Sequence, residues 1–264
     1  MMLLSIALGT VIGLVAALTG AGGGILGVPL LVFGMHLTLV QAGPIGLMAT
    51  GASAGLGAIL AHRHGLVRYR AAALMAIAGM ALTPAGVWVA GLIPSKPLTI
   101  LFALVLLYVA YRTFMKTRPD VASDRSTLKP CALDHSVGRL TWTVPCARIL
   151  AGWGMAVGFL SGLIGVGGGF VIVPTLQRYT HLEMHTIVPT SLAVIALVSV
   201  AGVVSSSLSG TLIWSIALPF SGGALLGMLG GRIVGKKLPG AILQRGFAAL
   251  CVLVAVGLFL RSVF

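Results

Sequence analysis

Apolar residues run along this chain in long blocks rather than in alternation. In the first half the blocks lie near 3–19, 24–34, 40–60, 71–91 and 98–115; in the second they lie near 149–164, 169–178, 186–206, 216–236 and 244–260. Short alternating strands would mark a β-barrel. Continuous runs rich in Leu, Ala, Gly and Val predict helices instead. A span of the hydrocarbon core takes about 20 residues. The third, fourth and fifth blocks of each half have that length, and the second has about half of it. Each short block follows a glycine triplet, Gly22-Gly23-Gly24 or Gly167-Gly168-Gly169, and holds one proline, Pro29 or Pro174. Glycine costs a helix interior about 1 kcal/mol relative to alanine and proline about 3, so both sites predict a break. The polar stretch 116–147, with three prolines, is the only sizeable loop.

The halves are copies of each other. Shifted by 145 residues, GLVAALTGAGGGILGVPLL (13–31) falls on GFLSGLIGVGGGFVIVPTL (158–176), and 14 of the 45 positions from 13 to 57 are identical. His36 meets His181, Pro44 meets Pro189, Leu47 meets Leu192 and Gly57 meets Gly202. The domains expected are a first repeat over 1–115, a polar linker over 116–147 and a second repeat over 148–264.

Charge orients the copies, because basic loops stay cytoplasmic. Arg63, Arg68 and Arg70 fill a loop whose counterpart near 206–215 has no basic residue. Arg232, Lys236, Lys237 and Arg245 face a counterpart with only Lys96. The sides alternate, as an inverted repeat requires. With the linker inside, 15 of the 17 Lys and Arg lie on the cytoplasmic face, leaving Lys96 and Arg261 outside. Both termini are then predicted outside. The N-terminus MMLLSIALGT lacks a basic n-region and a cleavage site, so it reads as a retained helix. The short blocks fit either re-entrant or spanning segments. The expected fold is an all-α polytopic membrane protein, two inverted repeats of about five apolar segments each, with about eight to ten transmembrane or half-membrane helices.

Composition agrees. The chain has 264 residues, 58% hydrophobic and 8% charged, with a mean hydropathy of +1.10. Soluble domains carry about 25% charge. The net charge of +13 reads as topology signal and attraction to the lipid bilayer rather than to nucleic acid, because the basic residues cluster at helix ends. Cys131, Cys146 and Cys251 have no redox or metal-ligand spacing, so no disulfide framework is expected. No cofactor or metal site is expected, since no cluster of His, Cys and acids has ligand spacing.

The duplicated G-x-G-G-G-x-x-x-V-P-x-L element, followed in the second copy by HTIVPTSLAV, resembles the sulfite exporter TauE/SafE family. The resemblance covers nearly the whole chain. It implies a permease of the bacterial inner membrane for a small anion such as sulfite, a sulfonate or a related organic acid. The first copy departs from the second: Pro44-Ile45-Gly46-Leu47 stands where the second reads Pro189-Thr190-Ser191-Leu192. The second copy is therefore expected to supply the polar contacts.

Inverted repeats with short, glycine-interrupted segments place a transporter's site near the midplane, between the copies. A helix starting there presents unpaired N–H groups and a partial positive charge, which suits an anion. The candidate substrate-binding residues are Gly22, Gly23, Gly24, Gly167, Gly168 and Gly169 with the hydroxyls of Ser53, Thr190 and Ser191. Those hydroxyls could instead bond carbonyls in their own helix. Pro29, Pro174, His36, His181, Glu183 and Arg178 are candidate gating or coupling residues. The histidines could instead cap carbonyls, and Glu183 could simply pair with Arg178.

Enzyme motifs fail on context. GGGILG (22–27) spells G-x-G-x-x-G, but no strand precedes it and no acid follows at the required distance. GASAG (51–55) spells G-x-S-x-G inside a predicted membrane helix, where Gly51 and Gly55 make a small-xxx-small pair. An intramembrane hydrolase using Ser53 with His62 or His64 is the remote alternative. No predicted membrane segment holds an acid, apart from Glu183 at an edge. Export of an anion from a cell that is negative inside gains about 2.3 kcal/mol per charge per 100 mV. Uncoupled export is thus the expected direction, with a proton-linked importer as the alternative.

Overall fold

The computed structural model describes residues 2–19, 24–62, 69–116, 131, 133–134, 139–140, 143–180, 182–235 and 240–263. Ten helices follow in order: α1 (Met2–Thr19), α2 (Gly27–Gly34), α3 (Leu39–His62), α4 (Tyr69–Leu92), α5 (Ser95–Lys116), α6 (Val144–Ile164), α7 (Gly169–Tyr179), α8 (Met184–Leu208), α9 (Trp214–Gly235) and α10 (Gly240–Val263). Each apolar block became a helix, and the ends agree with the sequence reading to within five residues. Two-residue strands, β1 (Leu133–Asp134) and β2 (Arg139–Leu140), pair antiparallel between the halves.

This is an all-α polytopic membrane protein. Among the described residues six helices have the length and composition to cross a bilayer: those starting at Leu39, Tyr69, Ser95, Val144, Met184 and Trp214. Their outward faces are greasy. Ile77, Trp88, Leu104, Tyr108 and Leu218 are all more than half exposed, which suits lipid as the surrounding solvent.

The halves interlock rather than stand side by side. Helix α1 packs along α9, and its counterpart α6 packs along α4. Each first helix thus lies against the fourth helix of the other half. Small residues let these backbones touch, the main source of helix attraction in lipid. Gly13 lies against the Ala224 carbonyl and Gly158 against the Gly79 carbonyl, with no room for a β-carbon. Helices α5 and α10 pair with each other.

At the centre α3 crosses α8 in antiparallel fashion. Gly202 lies opposite Leu47, Gly51 opposite Ser199, Gly55 opposite Ala196 and Gly57 opposite Leu192. The GASAG stretch is this crossing. The short helices α2 and α7 lie against α3 and α8 respectively.

One expectation is corrected. Cys131 and Cys146 form a disulfide, although their spacing gave no sign of one. The Cys131 N–H donates to the Tyr179 carbonyl at 3.3 Å, and Thr143 caps α6 by accepting from the Cys146 N–H at 3.4 Å. The bond ties the middle of the polar stretch to the start of α6, beside the end of α7. A parallel bridge from Cys131 to Thr180, just past α7, holds Cys131 beside α6, a contact that spacing along the chain does not encode.

Candidate functional site

The second glycine break is built by backbone demand. Helix α6 ends at Ile164, and Gly165 caps it with φ 78°, its N–H donating to the Ser161 carbonyl at 2.8 Å. Gly167 and Gly168 follow at φ 71° and 69°. L side chains avoid this left-handed region at about 1–2 kcal/mol per residue, so three glycines in four residues are what the turn requires. Gly168 is the N-cap of α7, and no side chain caps that end. The first N–H groups of α7 therefore carry the helix's positive end without a protein acceptor from a capping side chain.

Both breaks meet at one side chain. A β-carbon on Gly24, which opens a 3₁₀ turn before α2, would sit 2.8 Å from Thr50 Oγ1. A β-carbon on Gly167 would lie 3.0 Å from Ile195 Cγ2, 3.1 Å from Thr50 Cγ2 and 3.8 Å from Ser199 Oγ. Thr50 donates its hydroxyl proton to the Gly46 carbonyl at 2.7 Å. Ser199 is 1% exposed, and its hydroxyl has no hydrogen-bond partner among the described residues. It is a buried donor whose proton is uncommitted, which normally costs about 1–3 kcal/mol. Beside these groups lies a cavity of about 20 Å³ lined by Gly24, Thr50, Ser53, Leu192 and Ile195 among others. That volume suits roughly one water molecule, so a larger guest requires the surrounding side chains to move.

A second cavity of about 310 Å³ lies between the ends of α3, α4, α6 and α8. Gly43, Leu47, Trp88, Gly165 and Ser206 line it. It reaches the second break at Gly165, whose α-carbon packs on Gly43 of α3.

The residues singled out in the sequence separate into groups. Gly24, Ser53, Gly167, Gly168 and Gly169 are buried at or beside the centre. Gly22, Gly23 and His181 lie outside the described residues. Thr190 and Ser191 are buried, but their hydroxyls donate to the carbonyls of Thr186 at 2.6 Å and Val188 at 2.7 Å, and neither lines the two cavities. Pro29 is buried in α2, and Pro174 is half-buried in α7.

The remaining gating candidates sit at the surface. His36 is exposed just after α2 with φ 55°. The Glu183 carboxylate lies 3.0 Å from His185 Nδ1, while Arg178 stands over the Tyr179 ring at 5.8 Å. The expected Glu183–Arg178 pair is thus replaced by a Glu183–His185 pair. Extended backbone at Glu183, the N-cap of α8, accompanies a carboxylate turned toward that helix's first turn. Ser53 and His62 are nine residues apart on α3, about 13 Å along its axis, and the His62 ring meets Tyr69 edge-on at 5.4 Å. A Ser53–His62 pair is therefore out of reach, and His64 lies outside the described residues.

Thr50 and Ser199 were missed by sequence reasoning. Matching twins hides them, because Thr50 aligns with Ile195 and Ser199 with Ala54. The available signal was helical spacing: Gly46, Thr50, Ser53 and Gly57 share one face of α3.

Comparison with known proteins decides the family. The profile of the sulfite exporter TauE/SafE family matches residues 5–258. The chain belongs to the TauE/SafE family. It is similar to "Probable membrane transporter protein YunE" of Bacillus subtilis (strain 168), with 26% identity over 98% of this chain and 97% of that one. It is 27% identical to a "Probable membrane transporter protein" of Xylella fastidiosa (strain Temecula1 / ATCC 700964), over 99% of this chain and 96% of the relative. A relative in Methanocaldococcus jannaschii, "Probable membrane transporter protein MJ0441", is 29% identical over 76% of this chain and 71% of its own. No solved structure matches the chain. As a TauE/SafE protein it is a multi-pass membrane transporter, not an enzyme.

Proposed function

We propose that this TauE/SafE protein is a permease for a small anion such as sulfite, a sulfonate or a related organic acid. The anion binds at the midplane, between the breaks at Gly22-Gly23-Gly24 and Gly167-Gly168-Gly169. One observation carries this reading: both breaks face Thr50, beside a buried Ser199 hydroxyl with no hydrogen-bond partner among the described residues. An anion accepts what this site offers, a hydroxyl proton and the N–H groups that open α7. Thr50 contributes once its hydroxyl turns away from Gly46. Thr190 and Ser191, more than two turns from Ser199 toward the start of α8, would follow the anion's path inward.

Export is the direction we assign. No acid lies in the described helix interiors around this site, and the membrane potential alone gives an exported monovalent anion roughly a 50-fold gradient per 100 mV. In proteoliposomes, sulfite or sulfonate flux is expected to follow an imposed potential with no proton gradient present. Flux that instead tracks a proton gradient at zero potential would establish the proton-linked importer and make Glu183 or a histidine the coupling group.

The same reading divides the chain into an inverted pair, 1–115 and 148–264, joined by a cytoplasmic linker at 116–147 in a bacterial inner membrane. Both termini then lie outside. Disulfides persist mainly in oxidising compartments, so the Cys131–Cys146 bond and the charge pattern pull in opposite directions. The charge pattern engages 15 of 17 basic residues and is given precedence. In intact cells treated with a permeant reductant, an impermeant thiol reagent is expected to leave both cysteines unmodified. Labelling of the pair would turn the whole topology over.

A further inference from the structure

The repeat register carries a second symmetry that the fold makes physical. Leu47 of α3 lies over Gly202 of α8, and Leu192 of α8 lies over Gly57 of α3. Leu47 and Leu192 are twins at a shift of 145, and so are Gly57 and Gly202. The agreement extends one layer further. Besides its leucine, Gly202 meets Thr83 of α4, its β-carbon position lying 3.2 Å from Thr83 Cγ2. Gly57 meets Met228 of α9, 2.8 Å from Cε. Thr83 and Met228 are again twins. Each crossing therefore repeats the same lock, a leucine seated on a glycine that has no side chain to push it away.

The two locks bracket the central cavity. On α3 the large cavity is lined as far as Leu47, and the small one begins at Thr50. On α8 the small cavity is lined by Leu192 and Ile195, while the large one begins at Ser206. Leu47 is 1% exposed and closes the floor of the large cavity. Leu192 is half-buried and forms part of the wall of the small one, on the side toward the start of α8.

We propose that Leu47 and Leu192 are the two gates of the transporter. Leu47 closes the central site from the face where α3 begins, and Leu192 closes it from the face where α8 begins. This rests on the central site proposed above. Glycine at 202 and 57 lets each leucine seat in one helical register and leave it through side-chain rotation or a small slide of α3 along α8. Because each helix bears one leucine and one glycine, a tilt of α3 against α8 loosens one seat while it tightens the other. Packed interfaces of this kind have discrete arrangements, which gives alternating access without a further moving part.

The test measures access rather than transport alone. In the full-length chain with Cys251→Ala, a cysteine at Ala54, which lines the central cavity, reports labelling by an impermeant methanethiosulfonate applied from either face. The Cys251→Ala chain without that cysteine gives the background. Leu47→Ala is expected to speed labelling about tenfold from the α3-start face only, the effect of a one-decade shift in the open population. Leu192→Ala is expected to do so from the opposite face only. Leu47→Val and Leu192→Val carry the same signs with smaller changes, and stand in if an alanine variant fails to fold. Equal acceleration from both faces, or none with either leucine shortened, overturns the gates. Anion flux measured in the same vesicles separates the two ideas. Flux without sided labelling sinks the gates alone, and sided labelling without anion flux sinks the anion reading alone.

Discussion

Gly165→Ala is expected to lower the thermal midpoint sharply and to remove transport with it. Two costs act together. The residue holds φ 78°, and an alanine there pays about 1–2 kcal/mol for the left-handed backbone. Its β-carbon would also strike the α-carbon, carbonyl carbon and oxygen of Gly43. That obstacle is backbone, so no rotamer change relieves it, and overpacking of this kind costs about 1–3 kcal/mol more. The sum is a large share of the roughly 5–15 kcal/mol that separates folded from unfolded states. The matched control lies in the helix that Gly165 caps. Gly152 of α6 has nothing within 4 Å of its β-carbon position, so Gly152→Ala should leave the midpoint unchanged or raise it through helix propensity. Thermal unfolding of purified protein, followed by flux, reads both. A Gly165→Ala protein with the parent midpoint would show that the α6 cap and its contact with α3 are not what holds the break in place.

The contrast between these two glycines bears on what a sequence reveals. The breaks themselves were legible, because a glycine triplet before a proline is costly in any helix and stands out against Leu, Ala and Val. So were the helix limits, because polar residues and prolines punctuate them. The interlocking of α1 with α9 and of α6 with α4 was not legible. A helix that faces lipid on one side and protein on the other is apolar all round, so it shows no amphipathic stripe to name its partner. The close backbone approach at Gly13 and Gly158 was written only as small residues, which many helices carry. The disulfide was hidden for a related reason, since Cys131 meets Cys146 through its pairing with Tyr179 and Thr180 at the end of α7 rather than through spacing.

Part of the candidate site was legible in the sequence: Ser53 and the second glycine triplet lie buried at or beside the centre. Copy two reads Thr190-Ser191 where copy one reads Ile45-Gly46, which drew attention to those two hydroxyls. Those two bond within their own helix. The hydroxyls next to the breaks are Thr50, Ser53 and Ser199, from both copies. Twin matching rewards identity, whereas Thr50 and Ser199 stand where the copies differ. Only the crossing of α3 and α8 brings such positions together.

Ser199→Ala gives the sharpest test of that site, because its stability and its activity should move in opposite directions. In the folded protein the Ser199 hydroxyl is buried and has no partner among the described residues. Removing it lifts a desolvation penalty of about 1–3 kcal/mol, so the midpoint is expected to hold or rise. The same change removes the donor proton nearest Gly167, and anion flux is expected to fall about tenfold, the worth of one charge-assisted hydrogen bond of roughly 1.5 kcal/mol. Thr50→Val is the companion, close in shape but without the hydroxyl. It gives up the bond to Gly46, worth about 0.5–1.5 kcal/mol, so its midpoint should fall slightly while flux falls as well. Two residues with only structural roles would lose stability and flux together. A Ser199 kept for anion binding loses flux alone, and a buried hydroxyl without a partner then has its reason in the ligand. A Ser199→Ala protein that keeps full flux at an unchanged midpoint would move the anion away from Gly167.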